Sequence, residues 1–220
     1  MLALVFLTAL VVIVGPAPPS SAGVIRGTLK LPPVAQKAPS AHLYPGRASS
    51  LPVARTMMYG AVEDAVVWIE NVPAAADTAH HSKLPKLAQK GQCFTPRVLA
   101  VPPGTTVDFP NMDAIFHNVF SASPARRFDL GKYPRGHSKR VTFDRPGLVH
   151  VYCDIHSNME AFILILPTRA FTQPSAGGSF VTPSVPPGHY VLHVWHPDVP
   201  ETTQEVQVPE TGDLALEVGS

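Results

Sequence analysis

One short run limits how this chain can fold more than any other: Val151, Tyr152, Cys153, Asp154, Ile155, His156, Ser157, Asn158, Met159, at the end of a strand-like segment. A thiol, an imidazole and a thioether fall within seven residues, and a second imidazole, His117, lies far upstream in the apolar segment Phe116, His117, Asn118, Val119. Read as a metal loop, this set demands a fold that carries the ends of two distant strands to one point.

The rest of the chain suits that demand. With 25 Pro, 15 Gly and only 15% charged residues in 220, it favours many short strands joined by stiff turns over long helices, and we read it as all-β. Residues 24–31 and 65–72 read as early strands. From Phe94 the signals become regular, at 97–101, 105–109, 117–121, 141–143, 148–153 and 161–166, with turns at Pro102, Pro103, Gly104 and at Pro146, Gly147. Period two puts Val149, Val151 and Cys153 on one face of 148–153, and Leu148, His150 and Tyr152 on the other, so the thiol shares the core face. Residues 161–166 show no alternation, which predicts a strand covered on both faces. Residues 32–51, rich in Pro, Ala and Ser, read as a loop, and 73–90, with His80, His81 and three Lys, as a surface insertion.

Residues 2–14 are an apolar run, with Thr8 its one polar side chain, too short to span a bilayer and followed by small residues up to Ala22, which is the pattern of a secretory leader over residues 1–22. No Lys or Arg precedes the run, and an uncleaved anchor is the alternative. The expectation is an exported protein, periplasmic or secreted, with no membrane span once the leader is removed. Export opens a second reading for the cysteines, a Cys93–Cys153 disulfide. A half-cystine has no use for His three residues on and Met three further, whereas a metal loop needs both. Cys93 is then expected to be a buried thiol of no assigned role.

Two His and one Cys with a weak axial Met form the blue-copper donor set: sulfur favours Cu(I), while imidazole stays acceptable to Cu(II). A single copper ion is the expected cofactor. The order His117, Asn118, Val119, then a Pro146, Gly147 turn, then Tyr152, Cys153, His156 and Met159 leading into an apolar strand resembles the cupredoxins of the plastocyanin and amicyanin group. The spacing of the Cys loop is amicyanin-like, and the pattern is also similar to plastocyanin-like proteins of methylamine utilisation. The resemblance covers residues 92–166 and extends weakly back to Ala65. It implies a Greek-key β-sandwich, with His117, Cys153 and His156 as three strong ligands and Met159 as the weak axial one. It also implies that Asn118 ties the two ligand loops together and offers its backbone N–H to the sulfur. On its own residues, Met159 has a second reading as a core side chain opening the next strand, and Asn118 one as a turn residue.

Gly177, Gly178, then Pro186, Pro187, Gly188, then Tyr190, Leu192 and Val194 resemble the second half of a carboxypeptidase-regulatory, transthyretin-like β-sandwich. Its first half is missing from that stretch. The expected organisation is a copper domain at 23–166 with its core at 92–166, and a small transthyretin-like module at 167–220, to which residues 23–72 contribute opening strands.

Residues 23–166 carry sixteen Lys or Arg against ten Asp or Glu, whereas 167–220 carry one Arg against six acids. Arg126, Arg127, Lys132, Arg135, Lys139 and Arg140 cluster between the ligand segments, a pattern able to steer an acidic redox partner such as a cytochrome or periplasmic dehydrogenase. A solvated face or an internal contact with the acidic tail is the alternative. The patch lacks the interleaved aromatics expected of nucleic-acid binding. His42, His80, His81 and His137 read as loop residues, and His189, His193 and His196 as outward positions on a strand. One-electron transfer without substrate turnover is the leading expectation. Copper storage or delivery and a metal-free envelope-binding sandwich are the alternatives.

Overall fold

A computed structural model describes residues 22–32, 60–82 and 84–219. The apolar run at 2–14, the Pro-rich stretch at 33–51 and His42 lie outside the described residues. Two strands come first, β1 (Ile25–Leu29) and β2 (Val66–Glu70). The middle of the chain supplies β3 (Ala88–Gln89), β4 (Phe94–Thr95), β5 (Val98–Val101), β6 (Thr105–Pro110), β7 (His117–Ser121), β8 (Phe128–Tyr133), β9 (Ser138–Phe143), β10 (Gly147–Tyr152) and β11 (Glu160–Ile165). The last five are β12 (Phe171–Thr172), β13 (Ser179–Val181), β14 (Gly188–His196), β15 (Val199–Val208) and β16 (Leu214–Val218). The protein is all-β.

The middle strands form one sandwich. A five-stranded sheet in the order β5-β11-β10-β7-β8 faces the β6-β9 pair, with the short β3-β4 hairpin alongside. Its core includes Phe109, Phe143, Val107, Val149, Val151 and Ile163, all fully buried, and takes in Cys153 and Met159. The register of β10 on β11 pairs Val149 with Ile163 and Val151 with Ala161 toward this core, while His150 pairs with Phe162 and Tyr152 with Glu160 on the opposite face. Cys153 and Met159 continue the inward alternation.

The first two strands pair with the last five. Strand β1 sits between β13 and β16, and β2 between β12 and β14, with β15 at the edge. These two sheets enclose a second core that includes Ile25, Val67, Ile69, Phe180, Leu192 and Val218. Sheet membership therefore does not divide at residue 166: residues 25–29 and 66–70 pair with strands from 171 onward, and the other sandwich lies between them in sequence.

The sandwiches meet through a third apolar cluster. Val66 and Trp68, on the outer face of β2, pack with Val98, Phe162, Leu164, Phe171 and Trp195. This contact accounts for the unbroken apolar run of β11, where Ala161, Ile163 and Ile165 face one core and Phe162 and Leu164 the other sandwich.

The stretch at 73–90 is not simply a surface insertion. Leu87 and Gln89 are fully buried, and the segment runs beside β6 through parallel bridges from Lys86 to Asp108 and from Gln89 to Asn111. Leu87 alone offers about 1.5–3 kcal/mol of burial, enough to hold a short polar segment down. Strand β8 has no sequence signal, because Gly131 and exposed charges interrupt its pattern.

Candidate metal centre

Three donor atoms meet at one end of the first sandwich. His117 opens β7, and Cys153 and His156 lie in the loop after β10; their ligand atoms all fall within 4.8 Å of one another. His117 Nδ1 is 3.1 Å from His156 Nδ1, and Cys153 Sγ is 3.7 Å from the same His156 nitrogen. His117 is fully buried and Cys153 nearly so, whereas His156 is half-buried. The loop is short because its backbone closes on itself: Cys153 N–H donates to Met159 O at 3.3 Å and Met159 N–H to His156 O at 3.0 Å.

A residue that the sequence did not mark orients the buried imidazole. His117 Nε2 is 2.9 Å from Asp113 Oδ2, and a carboxylate can only accept, so the ring proton sits on Nε2 and the Nδ1 lone pair faces His156 and Cys153. Asp113 is itself fixed. Gly91 and Gln92, both in the left-handed region, aim successive N–H groups at its two oxygens at 2.7 and 2.8 Å. Asn111 braces the same loop, accepting from Asp113 N–H and donating to Ile115 O and Tyr133 O. Burial alone would raise Asp113; the Gln92 and Gly91 N–H groups and then His117 outweigh it and hold the carboxyl below its usual range. Burial pushes His156 below the usual histidine range, His117 adds to this and Asp113 opposes it, so the ring favours its neutral, ligating form.

Such a donor set fits a copper ion: His117 Nδ1, the Cys153 sulfur and, in the tautomer that carries its proton on Nε2, His156 Nδ1 converge from separate strand ends. Met159 is buried on the same inward face as Cys153. Asn118 N–H points at Cys153 Sγ at 3.5 Å. Its side chain turns away from the Cys loop, where the resemblance implied a tie, and donates to Asp129 Oδ1 at 2.7 Å on β8.

Cys93 and Cys153 are both thiols here, and Cys93 is half-buried, where the sequence reading expected a buried thiol. His196 corrects a second expectation. Far from pointing outward, it is buried, donates from Nε2 to Ala61 O and accepts Asp198 N–H on Nδ1. His193 stacks on Trp68 between Glu70 and Glu201, and His81 stacks on Phe171. None of these reaches the His117 cluster, the one such donor group among the described residues. No helix among them is long and apolar enough to cross a membrane.

No protein-family model matches the chain. No curated protein matches it either. Among solved structures, a copper-containing nitrite reductase from Thermus scotoductus SA-01 is similar at 28% identity over 40% of this chain, with a TM-score of 0.37. This chain spans 23% of that enzyme's length. A purple cupredoxin from Nitrosopumilus maritimus aligns at 20% identity, covering 37% of this chain and 99% of its own, with a TM-score of 0.34. A methionine-to-alanine variant of amicyanin in its Cu(I) form aligns at 16% identity over 46% of this chain and 98% of its own, with a TM-score of 0.36.

Proposed function

We propose that this chain is an exported copper protein of the cupredoxin type, working as a one-electron carrier with His117, Cys153 and His156 as strong ligands and Met159 as a weak axial one. The observation that carries the reading is the convergence of His117 Nδ1, His156 Nδ1 and Cys153 Sγ within 4.8 Å at a largely buried strand end. Copper, when bound there, supplies a one-electron couple. Cys153 contributes a thiolate, which must lose its proton to ligate. Asn118 N–H withdraws electron density from that sulfur and so favours the reduced state. Asp113 holds the His117 ring in place, which limits rearrangement between oxidation states.

Access for a partner lies at the same end. Met112, Ile115 and Phe116 precede His117, Ile155 precedes His156, and all four are exposed, Phe116 at 56%. An apolar rim around a half-buried ligand suits brief docking of a redox partner better than turnover of a substrate. Lys132, on the neighbouring strand, reaches Asp154 in the Cys loop at 3.5 Å. It brings the basic run of β8 and β9 to the edge of this rim, which supports an acidic partner.

The test is to load the full chain with copper and cycle it electrochemically in the presence of a Cu(I) chelator. A carrier gives a reversible one-electron wave and keeps its metal through repeated cycles. Rapid loss of copper to the chelator with no reversible wave would assign the site to copper delivery instead.

A further inference from the structure

On the outer face of β10 and β11 a line of side chains runs from the second sandwich to the residues flanking the metal loop. Asp198, between β14 and β15, grips Arg97 with both oxygens, at 2.8 and 2.9 Å. Arg97 also reaches Asp64 Oδ2 at 3.2 Å and Glu160 Oε1 at 3.4 Å. Glu160 Oε2 is 3.0 Å from His150 Nε2, and His150 Nδ1 is bonded to Tyr152 OH. Tyr152 directly precedes Cys153, and Glu160 directly follows Met159; the two residues face each other across the strands that form the base of the loop.

This line is enclosed. Arg97 and Asp198 are only 11% and 14% exposed, and Phe162 is stacked by His150 and lies edge-on to Trp195 of the second sandwich. A bidentate, largely desolvated Arg–carboxylate pair has one well-defined geometry. Its rigidity passes through Glu160 to the two strand ends from which the loop hangs.

We infer that the second sandwich is a positioning arm for the metal loop, acting through Asp198, Arg97 and Glu160 to fix the spacing of Cys153 and Met159. The role in copper binding rests on the reading above; the fixing of the loop does not. The second sandwich thereby braces the site from outside its own sheet pair.

The experiment compares the full chain with Asp198→Asn and Glu160→Gln, using Asp213→Asn as a control. Asp213→Asn breaks an exposed pair with Arg26 in the same sandwich, outside the line to the loop. In metal-free protein, amide hydrogen exchange at Cys153 and Met159 should rise about tenfold in both test variants while the amide of Val107, in the opposite sheet, is unchanged. In copper-loaded protein, the same variants should shift the visible band and release copper to a chelator about tenfold faster, and the double variant should add little to either single one. Unchanged exchange at Cys153 and Met159 would overturn the inference, as would equal acceleration at Val107, which would indicate general loosening. Faster loop exchange in a chain that takes up no copper would leave the brace standing and remove the copper reading alone.

Discussion

His117 and Asp113, four residues apart, hold each other through an Nε2 to Oδ2 contact of 2.9 Å that aims the other ring nitrogen at Cys153 and His156. The carboxylate also accepts N–H groups from Gly91 and Gln92, so Asp113→Ala leaves three donors without their acceptor. A destabilisation of about 2–3 kcal/mol is expected in denaturant unfolding of the metal-free protein. Copper affinity, measured by chelator competition, should fall about 10–100-fold because the ring is no longer oriented.

Met159→Leu preserves volume on the buried inward face, at a cost of less than about 1.5 kcal/mol. The variant should keep its intense colour, since the sulfur of Cys153 remains, and should show a shifted reduction potential in voltammetry. An unshifted potential would mean that Met159 serves only the core.

Tyr133 offers a contrast between fold and site. Its hydroxyl donates to Phe109 O at 2.8 Å and accepts from Gln89 Nε2 at 2.6 Å deep in the first core, and burial pushes its pKa well up. Tyr133→Phe should cost about 1–3 kcal/mol in thermal or denaturant unfolding. The visible spectrum of the copper-loaded form should not change.

Acid should weaken the junction between the sandwiches. Burial alone would raise Asp198, but the hydrogen bonds and charge of Arg97 outweigh it and hold the carboxyl below its usual range. The His150 hydrogen bond does the same for Glu160. Carboxyls with depressed folded-state pKa values contribute stability in full above the usual carboxylate range, and it is lost as pH falls through the lowered values. Asp64 is raised by burial and runs the other way, its cost at neutral pH easing on acidification. The stability gap between wild type and Asp198→Asn should therefore be widest near neutrality and shrink below about pH 4, as measured by denaturant midpoints.

The facing of the strands that carry the candidate site could be read from spacing, and the reason is local. Period two put Cys153 on the core side at the end of β10 and His150 on the other face, and both lie there. An apolar run without alternation at 161–166 announced a strand buried on two sides, which β11 is. What escaped was set by contacts between distant segments. The hold of Asp113 on His117 depends on a left-handed turn at Gly91 and Gln92, and the burial of His196 depends on Ala61 and Asp198. Asn118 N–H lies 3.5 Å from Cys153 Sγ, but its side chain found Asp129 on β8, a strand with no signal of its own. Arg97 carried no signal of its own, because the three carboxylates around it, Asp64, Glu160 and Asp198, come from distant parts of the chain.

The most direct measurement is a copper titration of the full chain and of Cys153→Ser, followed by visible absorption and electron paramagnetic resonance. Wild type should take up one equivalent, become strongly coloured and bleach reversibly on reduction, while the serine variant stays colourless. Equal colour in the two proteins, or a wild type that binds no copper, would contradict the assignment of Cys153 with His117 and His156 to a shared metal site.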